Sequence, residues 1–274
     1  MTRLLLIILL SGAFNAFPSN IDRTLRVVRD SVQMFDSVQF SRIHFQLDDS
    51  GLIIEIGLND TLALLLINND SVEHSFYIED ELDSAILIPI GDSAQVTISF
   101  DQVGTYLYKD PSQSNNIYLG LVGLIVVKDN DYSSFYWNLK EYDLEWDDSS
   151  DHSNYDPEYF TINGKSFPAT NEDSQLRVEG KVGDTIYIYI TNLGNSIHSL
   201  HFHGYHATIV QSSKSIHHIG RSKDTFPIYP LEYIVLELIP NQAGEYPVHD
   251  HNLVAVSGNG SYANGMFTTI LIQP

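Results

Sequence analysis

The two halves of this 274-residue chain repeat one pattern of short β-type runs, and this repeat limits the fold more than any other feature. Three pairs of matching segments make up the repeat: 57–68 with 182–192, 72–76 with 197–201, and 103–108 with 243–248. Each half then closes with a glycine and an apolar run. Two copies of a unit of about 110 residues, each made of short strands, predict two tandem β-sandwiches.

The local pattern predicts an all-β protein, because apolar and β-branched runs are separated by Gly, Asn and Asp and no long segment has a helical period. The clearest predicted strands of the first half are 52–56, 61–67, 85–90, 95–100, 104–108 and 119–127. We expect a first domain at 20–130, a connecting segment at 131–157 and a second domain at 158–274. Residues 142–156 are polar and acidic, and a linker is favoured there over a calcium loop, since EF-hand spacing is absent.

The N-terminus has the pattern of a secretory signal peptide, assigned to residues 1–19. A charged start at Met1–Arg3 precedes the apolar run Leu4–Leu10, and small residues then offer a cleavage site. The run is too short for a membrane span, and no later stretch is long and apolar enough for one. A buried N-terminal strand is the alternative. The sequence therefore predicts a secreted or periplasmic protein without a membrane span.

Composition excludes several functional classes. The chain has no cysteine, which rules out disulfides, thiolate metal ligands and a cysteine nucleophile. Its formal net charge of −21 argues against nucleic acid and anionic lipid as partners, because both need a basic surface. The acidity favours solubility in an external medium.

Two short strings near the C-terminus, His201-Phe202-His203 and His249-Asp250-His251, each place two histidines two residues apart. On a strand, that spacing directs both imidazoles to one face. If the two strands are neighbours, four imidazoles converge across a gap of roughly 5 Å. Neutral imidazole is a common ligand of late first-row metals, and copper(II) is at the top of their affinity order. The sequence predicts a site for one or two copper ions, which zinc would also fit.

The string His198–Gly204, HSLHFHG, resembles the H-x-x-H-x-H-G motif of multicopper oxidases. Segments 223–227, 244–246 and 249–251 follow it in that family's order. The resemblance implies two tandem cupredoxin-like, or plastocyanin-like, Greek-key β-sandwiches, as in two-domain laccases and copper nitrite reductases. It also implies copper-dependent oxidoreductase chemistry and, because two-domain relatives are often trimers, a homotrimer.

The chain departs from the family at the blue, type 1 copper site. In the family, a histidine, a cysteine, a second histidine and often an axial methionine hold that copper. By position, His198 and Met266 remain, whereas Asp250 replaces the cysteine and Ala255 the second histidine. A blue centre requires a thiolate, so none is expected here. His198, Asp250 and Met266 stay as a weaker candidate metal site.

The family's three-copper cluster is also incomplete. It uses eight histidines, and His201, His203, His249 and His251 match four of them. The other four positions, in the first half, hold Tyr77, Glu79, Lys109 and Pro111. A full cluster is therefore not expected, although Glu79 can add a carboxylate if the first domain packs against the second.

These observations predict an exported copper-binding protein that works, if it is an enzyme, as a copper-dependent oxidoreductase without a blue centre. Its partners would be a metal ion and a small-molecule or redox substrate. A non-catalytic copper carrier and a structural relic are the alternatives. Of the remaining polar residues, His74 is favoured as a structural histidine, and Asp224 either orients a ligand imidazole or forms a turn.

Overall fold

The first half of the molecule is a sandwich of two β-sheets. The computed structural model describes residues 18–48, 53–113, 115–145 and 155–274. The first-half strands are β1 (Asn20–Gln33), β2 (Gln39–Leu47), β3 (Ile54–Gly57), β4 (Thr61–Asn68), β5 (His74–Ile78), β6 (Ile86–Ile88), β7 (Ser93–Ser99), β8 (Gly104–Lys109) and β9 (Val122–Lys128). The short helix α1 (Asn116–Leu119) precedes β9. One sheet has the order β2-β1-β4-β7 and the other β3-β9-β8-β5-β6.

The second half repeats this construction. Its strands are β10 (Ser133–Tyr142), β11 (Tyr159–Ile162), β12 (Val178–Lys181), β13 (Ile186–Asn192), β14 (His198–Phe202), β15 (Ala207–Ser212), β16 (Ser222–Lys223), β17 (Thr225–Ile228), β18 (Tyr233–Leu238), β19 (Gly244–Asp250), β20 (Ser257–Gly258), β21 (Ser261–Tyr262) and β22 (Phe267–Gln273). Helix α2 (Ala169–Glu172) lies between β11 and β12. The two main sheets have the orders β11-β10-β13-β18-β15-β16 and β12-β22-β19-β14-β17, while β20 and β21 form a separate pair.

The two halves are equivalent strand by strand. The order β3-β9-β8-β5-β6 in the first half corresponds to β12-β22-β19-β14-β17 in the second, and β2-β1-β4-β7 corresponds to β11-β10-β13-β18. In both halves the first long strand runs parallel to its inner neighbour, β1 to β4 and β10 to β13. The predicted all-β class with two tandem sandwiches is confirmed.

Strict alternation of side chains builds each core. Along β4, Leu62, Leu64 and Leu66 are buried while the residues between them are partly exposed. Because successive side chains on a strand point to opposite faces, this pattern buries one face of the sheet. Each fully buried leucine contributes about 1.5–3 kcal/mol relative to an exposed one. The largest buried side chain of the second half, Trp137, donates its indole N–H to the Leu176 carbonyl at 2.8 Å.

The boundary between the halves differs from the sequence prediction. The segment 131–157, predicted to be a connection, contains β10, which lies inside a sheet of the second sandwich between β11 and β13. Trp137 and Leu139 on this strand are fully buried, and this burial outweighs the polar residues that favoured a linker. The proposed signal peptide lies almost wholly outside the described residues, as does most of the segment weighed as a calcium loop.

Candidate metal centre

Two adjacent strands position the four predicted ligands. In β14, Leu200 and Phe202 are buried in the core and His201 points to the opposite, outer face, with His203 directly after the strand. β19 pairs antiparallel with β14 and brings His249 directly opposite His201. His251 follows two residues later. The strand period of two therefore places all four imidazoles on the outer face of one sheet, as predicted.

The four rings, called the histidine cluster below, are close neighbours. The ring centroid of His201 is 4.6 Å from that of His203, 5.9 Å from that of His249 and 5.7 Å from that of His251. The Nε2 atoms of His203 and His249 are 3.0 Å apart. Two nitrogens bound to one ion at roughly 2.0–2.1 Å would be separated by roughly 3 Å, so this pair matches the spacing of neighbouring ligands.

The remaining rings are oriented differently. Within the ranges that the structure describes, no three His, Asp or Glu side chains are arranged so that they could hold one ion together. The four donors thus share a face and a neighbourhood, with one pair of nitrogens at ligand spacing. A three- or four-nitrogen site requires the other rings to rotate about their side-chain bonds.

Hydrogen bonds to the second ring nitrogen orient two of the four imidazoles. The Thr225 hydroxyl donates to Asp224 Oδ1 at 3.1 Å and accepts from His201 Nδ1 at 2.9 Å. His249 Nδ1 donates to the Asp250 carbonyl at 2.8 Å. Both rings therefore carry their proton on Nδ1 and keep the Nε2 lone pair available, the arrangement that metal-bound histidines usually show. Of the two roles considered for Asp224, the orienting one is present, but it acts through Thr225.

Electrostatics favours the neutral form of His203. Burial lowers the pKa of this imidazole, and the neighbouring His201 and His249 lower it further. Neutral imidazole is the form that binds metal. Asp224 is held in the ionised state, since the hydrogen bond from Thr225 lowers its pKa. The Phe267 ring lies nearly parallel to the His249 ring, with the two centroids 6.0 Å apart.

Two residues of the weaker candidate metal site, His198 and Asp250, lie beneath the histidine cluster, on the inner face of the same strands. They take part in a buried ion-pair network. His198 Nδ1 lies 2.6 Å from Asp250 Oδ2, and His198 Nε2 lies 2.9 Å from Glu141 Oε2. All three side chains are at most 2% exposed. We call Glu141, His198 and Asp250 the domain 2 clamp. Met266 is also buried, but both nitrogens of His198 are engaged by carboxylates and neither is available to a metal.

The clamp keeps His198 charged. Burial alone lowers the pKa of this imidazole, but the hydrogen bonds to Asp250 and Glu141, together with their negative charges, outweigh it and raise the pKa to about 9. Glu141 also accepts the backbone N–H groups of Asn195 and Ser196, each at 2.6 Å. The buried charges are therefore paired and hydrogen-bonded, which is the condition under which they persist in a core.

The first half contains the same arrangement at the equivalent place. His74, on β5, lies 2.8 Å from Asp110 through Nδ1 and 2.9 Å from Asp70 through Nε2, and all three are buried. We call these three the domain 1 clamp. His74 and Asp110 correspond to His198 and Asp250 in the repeat. The preference for a structural role for His74 agrees with these contacts, and Arg29 pairs with Asp70 at 2.7 Å.

Sequence reasoning missed the carboxylates Asp70, Asp110 and Glu141. The repeat contained a signal for one of them, because Lys109-Asp110-Pro111 aligns with His249-Asp250-His251. Glu141 lies 57 positions before His198 in the chain. Asp70 lies only four positions before His74, but it belongs to no recognisable motif.

The first-half positions that lack histidine form their own contacts. Lys109 Nζ pairs with Glu79 at 3.0 Å and lies 5.9 Å from the Tyr77 ring centroid. Glu79 lines a cleft with Lys214 and Tyr233, away from the histidine cluster. Within one chain, therefore, Glu79 is not brought to the four histidines, contrary to the suggestion that it adds a carboxylate there.

Comparisons with known proteins agree with this description. Residues 144–267 match the family model described as multicopper oxidase. Ceruloplasmin of Rattus norvegicus is 25% identical over 192 residues, and that of Homo sapiens is 27% identical over 169 residues. These alignments cover 61% and 53% of this chain but only 17% and 15% of the two ceruloplasmins, so the chain spans a small part of these relatives.

Solved structures show the same fold over nearly the whole chain. The blue copper oxidase from Nitrosomonas europaea has a TM-score of 0.77 at 19% identity, covering 93% of this chain and 86% of its own. The copper nitrite reductase from the same organism has a TM-score of 0.73 at 20% identity, covering 93% and 94%. The predicted resemblance to multicopper oxidases is confirmed. Among the residues described, no helix is long and apolar enough to cross a membrane.

Proposed function

Because residues 144–267 match the multicopper oxidase family model, we propose that this chain binds copper through the histidine cluster and performs copper-dependent redox chemistry without a blue centre. The observation that carries the proposal is the gathering of four imidazoles on one outer sheet face, with two Nε2 atoms 3.0 Å apart. Imidazole nitrogens in this number suit copper(II), and zinc is the main competitor.

The residues themselves prepare the site for a metal. Thr225 and the Asp250 carbonyl hold the protons of His201 and His249 on Nδ1, so that Nε2 of each ring is the free donor. Without metal, His203 donates its Nε2–H to His249 Nε2, because the proton of His249 is on Nδ1. For His203 to bind a metal through Nε2, its ring proton would have to move to Nδ1. A copper ion bound there would supply one-electron redox chemistry at a partly exposed position.

The domain 2 clamp supports the absence of a type 1 centre. Of the two histidines that hold the type 1 copper in the family, only His198 is retained, and both of its ring nitrogens contact carboxylates. With no cysteine in the chain, no thiolate can replace them. Electrons would have to reach the cluster directly from a substrate at the outer face, where His203 and His251 are exposed.

A copper carrier without turnover is the second candidate. The observation that favours it is the ion pair between Lys109 and Glu79, which occupies first-half positions where the family places further copper ligands. A carrier would bind copper tightly and show no oxidation of phenols or metal ions and no reduction of nitrite. An oxidoreductase would turn over at least one of these substrate classes.

The proposal also concerns the location of the protein and its oligomeric state. We place the protein outside the cytoplasm, in the periplasm or the external medium, on the basis of the signal-peptide pattern at 1–19. The homotrimer implied by the family resemblance stays a prediction. N-terminal sequencing of exported protein and analytical ultracentrifugation test the two points separately.

The decisive experiment compares copper binding in two double variants. Metal-free protein is titrated with copper(II), and bound metal is measured after dialysis together with the electron spin resonance spectrum. We expect bound copper with type 2 character, weak colour and no intense thiolate band. His203→Ala with His251→Ala should reduce bound copper at least tenfold.

The control is His217→Ala with His218→Ala, which removes two imidazoles from the exposed turn Ile216–His218, outside the cluster. This variant should bind copper as the unchanged protein does. If the His203/His251 variant retains full copper content, the histidine cluster is not the site, and both the oxidoreductase and the carrier are refuted in favour of a structural relic. Metal analysis of the protein as isolated distinguishes copper from zinc.

A further inference from the structure

A cavity lies between the two sandwiches, apart from the histidine cluster. Two adjoining spaces of about 310 and 270 Å³ share four lining residues, Arg42, Leu119, Lys140 and Tyr142. Strand β2 and helix α1 of the first half form one side, and β10 of the second half forms the other. Clefts between domains, in this range of volume, are common places for small ligands to bind.

Lys140 is the cation of this cavity for which the described residues provide no carboxylate partner. Its Nζ donates to the Tyr118 carbonyl and lies 5.6 Å from the Tyr142 ring centroid. Among the described residues, none forms an ion pair with it. The adjacent carboxylate, Glu141, is turned to the opposite side of the strand and is committed to His198.

The second cation, Arg42, is already neutralised. Its guanidinium donates to both carboxylate oxygens of Asp30, at 2.5 and 2.9 Å. Lys140 therefore brings a positive charge to the larger space, whose lining also includes Glu141 and Asp143. Glu141 is held by His198, and Asp143 accepts the backbone N–H groups of Glu145 and Asp156, each at 2.8 Å. Burial lowers the pKa of Lys140 to about 8, which reflects the cost of a buried charge in this place.

Aromatic side chains form the wall beside this charge. The rings of Phe40 and Tyr142 lie 5.0 Å apart at an angle of 31°, and both line the larger space together with Lys140. An ammonium group that retains free N–H donors next to an apolar, aromatic wall matches a ligand with an anionic end and a flat body. A carboxylate would pair with the ammonium, and an aromatic ring would pack on Phe40 and Tyr142.

We propose that the larger space between the sandwiches binds a small aromatic carboxylate, with its carboxylate on Lys140 and its ring against Phe40 and Tyr142. The site is independent of the histidine cluster, since none of the four histidines lines either space. The pairing also offsets the unfavourable burial of the lysine charge.

Isothermal titration of the full chain with benzoate tests the proposal, with benzamide as an uncharged probe of the same shape. We expect benzoate to bind with one site per chain and at least tenfold more tightly than benzamide. Lys140→Met removes the charge with little change of side-chain length and should weaken benzoate binding at least tenfold. Lys109→Met removes a partly buried lysine that lines neither space, and it should leave benzoate binding unchanged.

A second variant guards against a fold change in Lys140→Met. Ser41→Trp places a bulky side chain at an exposed position of β2 that lines the larger space, and it should also abolish benzoate binding while Lys140 remains. Unchanged thermal unfolding and copper binding show that each variant is folded. Absence of benzoate binding to the unchanged protein, equal binding of benzamide, or full benzoate binding by both variants would overturn the proposal.

Discussion

Replacing His198 by glutamine should destabilise the second sandwich severely, because it removes the positive centre of the domain 2 clamp. The substitution leaves Glu141 and Asp250 as two carboxylates with fully buried side chains and no cation between them. Removing one partner from a buried ion pair costs about 3–5 kcal/mol. Since a domain is stable by only about 5–15 kcal/mol, this is a large fraction of the total.

The assay is urea unfolding followed by tryptophan fluorescence, in which the transition that reports on Trp137 follows the second sandwich. His217→Gln is the matched control, and as an exposed substitution it should change the free energy of unfolding by no more than about 0.5 kcal/mol. A loss below about 1 kcal/mol in His198→Gln would refute the argument that the imidazolium holds the two carboxylates in place. Copper content per folded chain should be unchanged, because His198 has no nitrogen available to a metal.

Three further outcomes follow from the same structure. Thr225→Val should weaken copper binding about tenfold in a copper titration, because His201 Nδ1 loses the hydrogen bond that orients its ring. The control Thr61→Val, on the first sandwich, should leave the copper affinity unchanged. Equal affinities of the two variants would contradict the orienting role of Thr225. Acid should destabilise the first sandwich as the pH falls from about 4 towards 2 in urea unfolding. Burial opposes ionisation of Asp70 and Asp110, but hydrogen bonds outweigh it and lower both pKa values from 3.8 to about 2. The main hydrogen bonds come from Arg29 and His74 to Asp70 and from His74 to Asp110. The two ionised carboxylates therefore stabilise the first sandwich above pH 4, and this stabilisation is lost when they are protonated. Substituting His74 by glutamine should reduce this acid-dependent loss, and an unchanged pH profile would exclude the domain 1 clamp as its source.

Much of the site could be predicted from sequence because strand geometry is local. A period of two fixes which side chains share a face, so HFH and HDH had to present their histidines together once they lay on paired strands. The same rule places Asp250 on the face opposite its two neighbours. The connection at 131–157 was harder, since β10 pairs with strands that begin far along the chain, and its polar flanks gave no sign of that pairing.

The sequence by itself determined the all-β class, the duplication, the absence of a thiolate and the spacing of the four histidines, because these depend on residue types and on distances of a few residues along the chain. Tertiary structure alone decided that Glu141 and Asp250 enclose His198, that Asp70 and Asp110 enclose His74, and that Lys140 lies beside a cavity. Such contacts join residues up to 57 positions apart. They are set by how sheets stack and by the need to pair every buried charge, and neither of these is expressed in a local pattern.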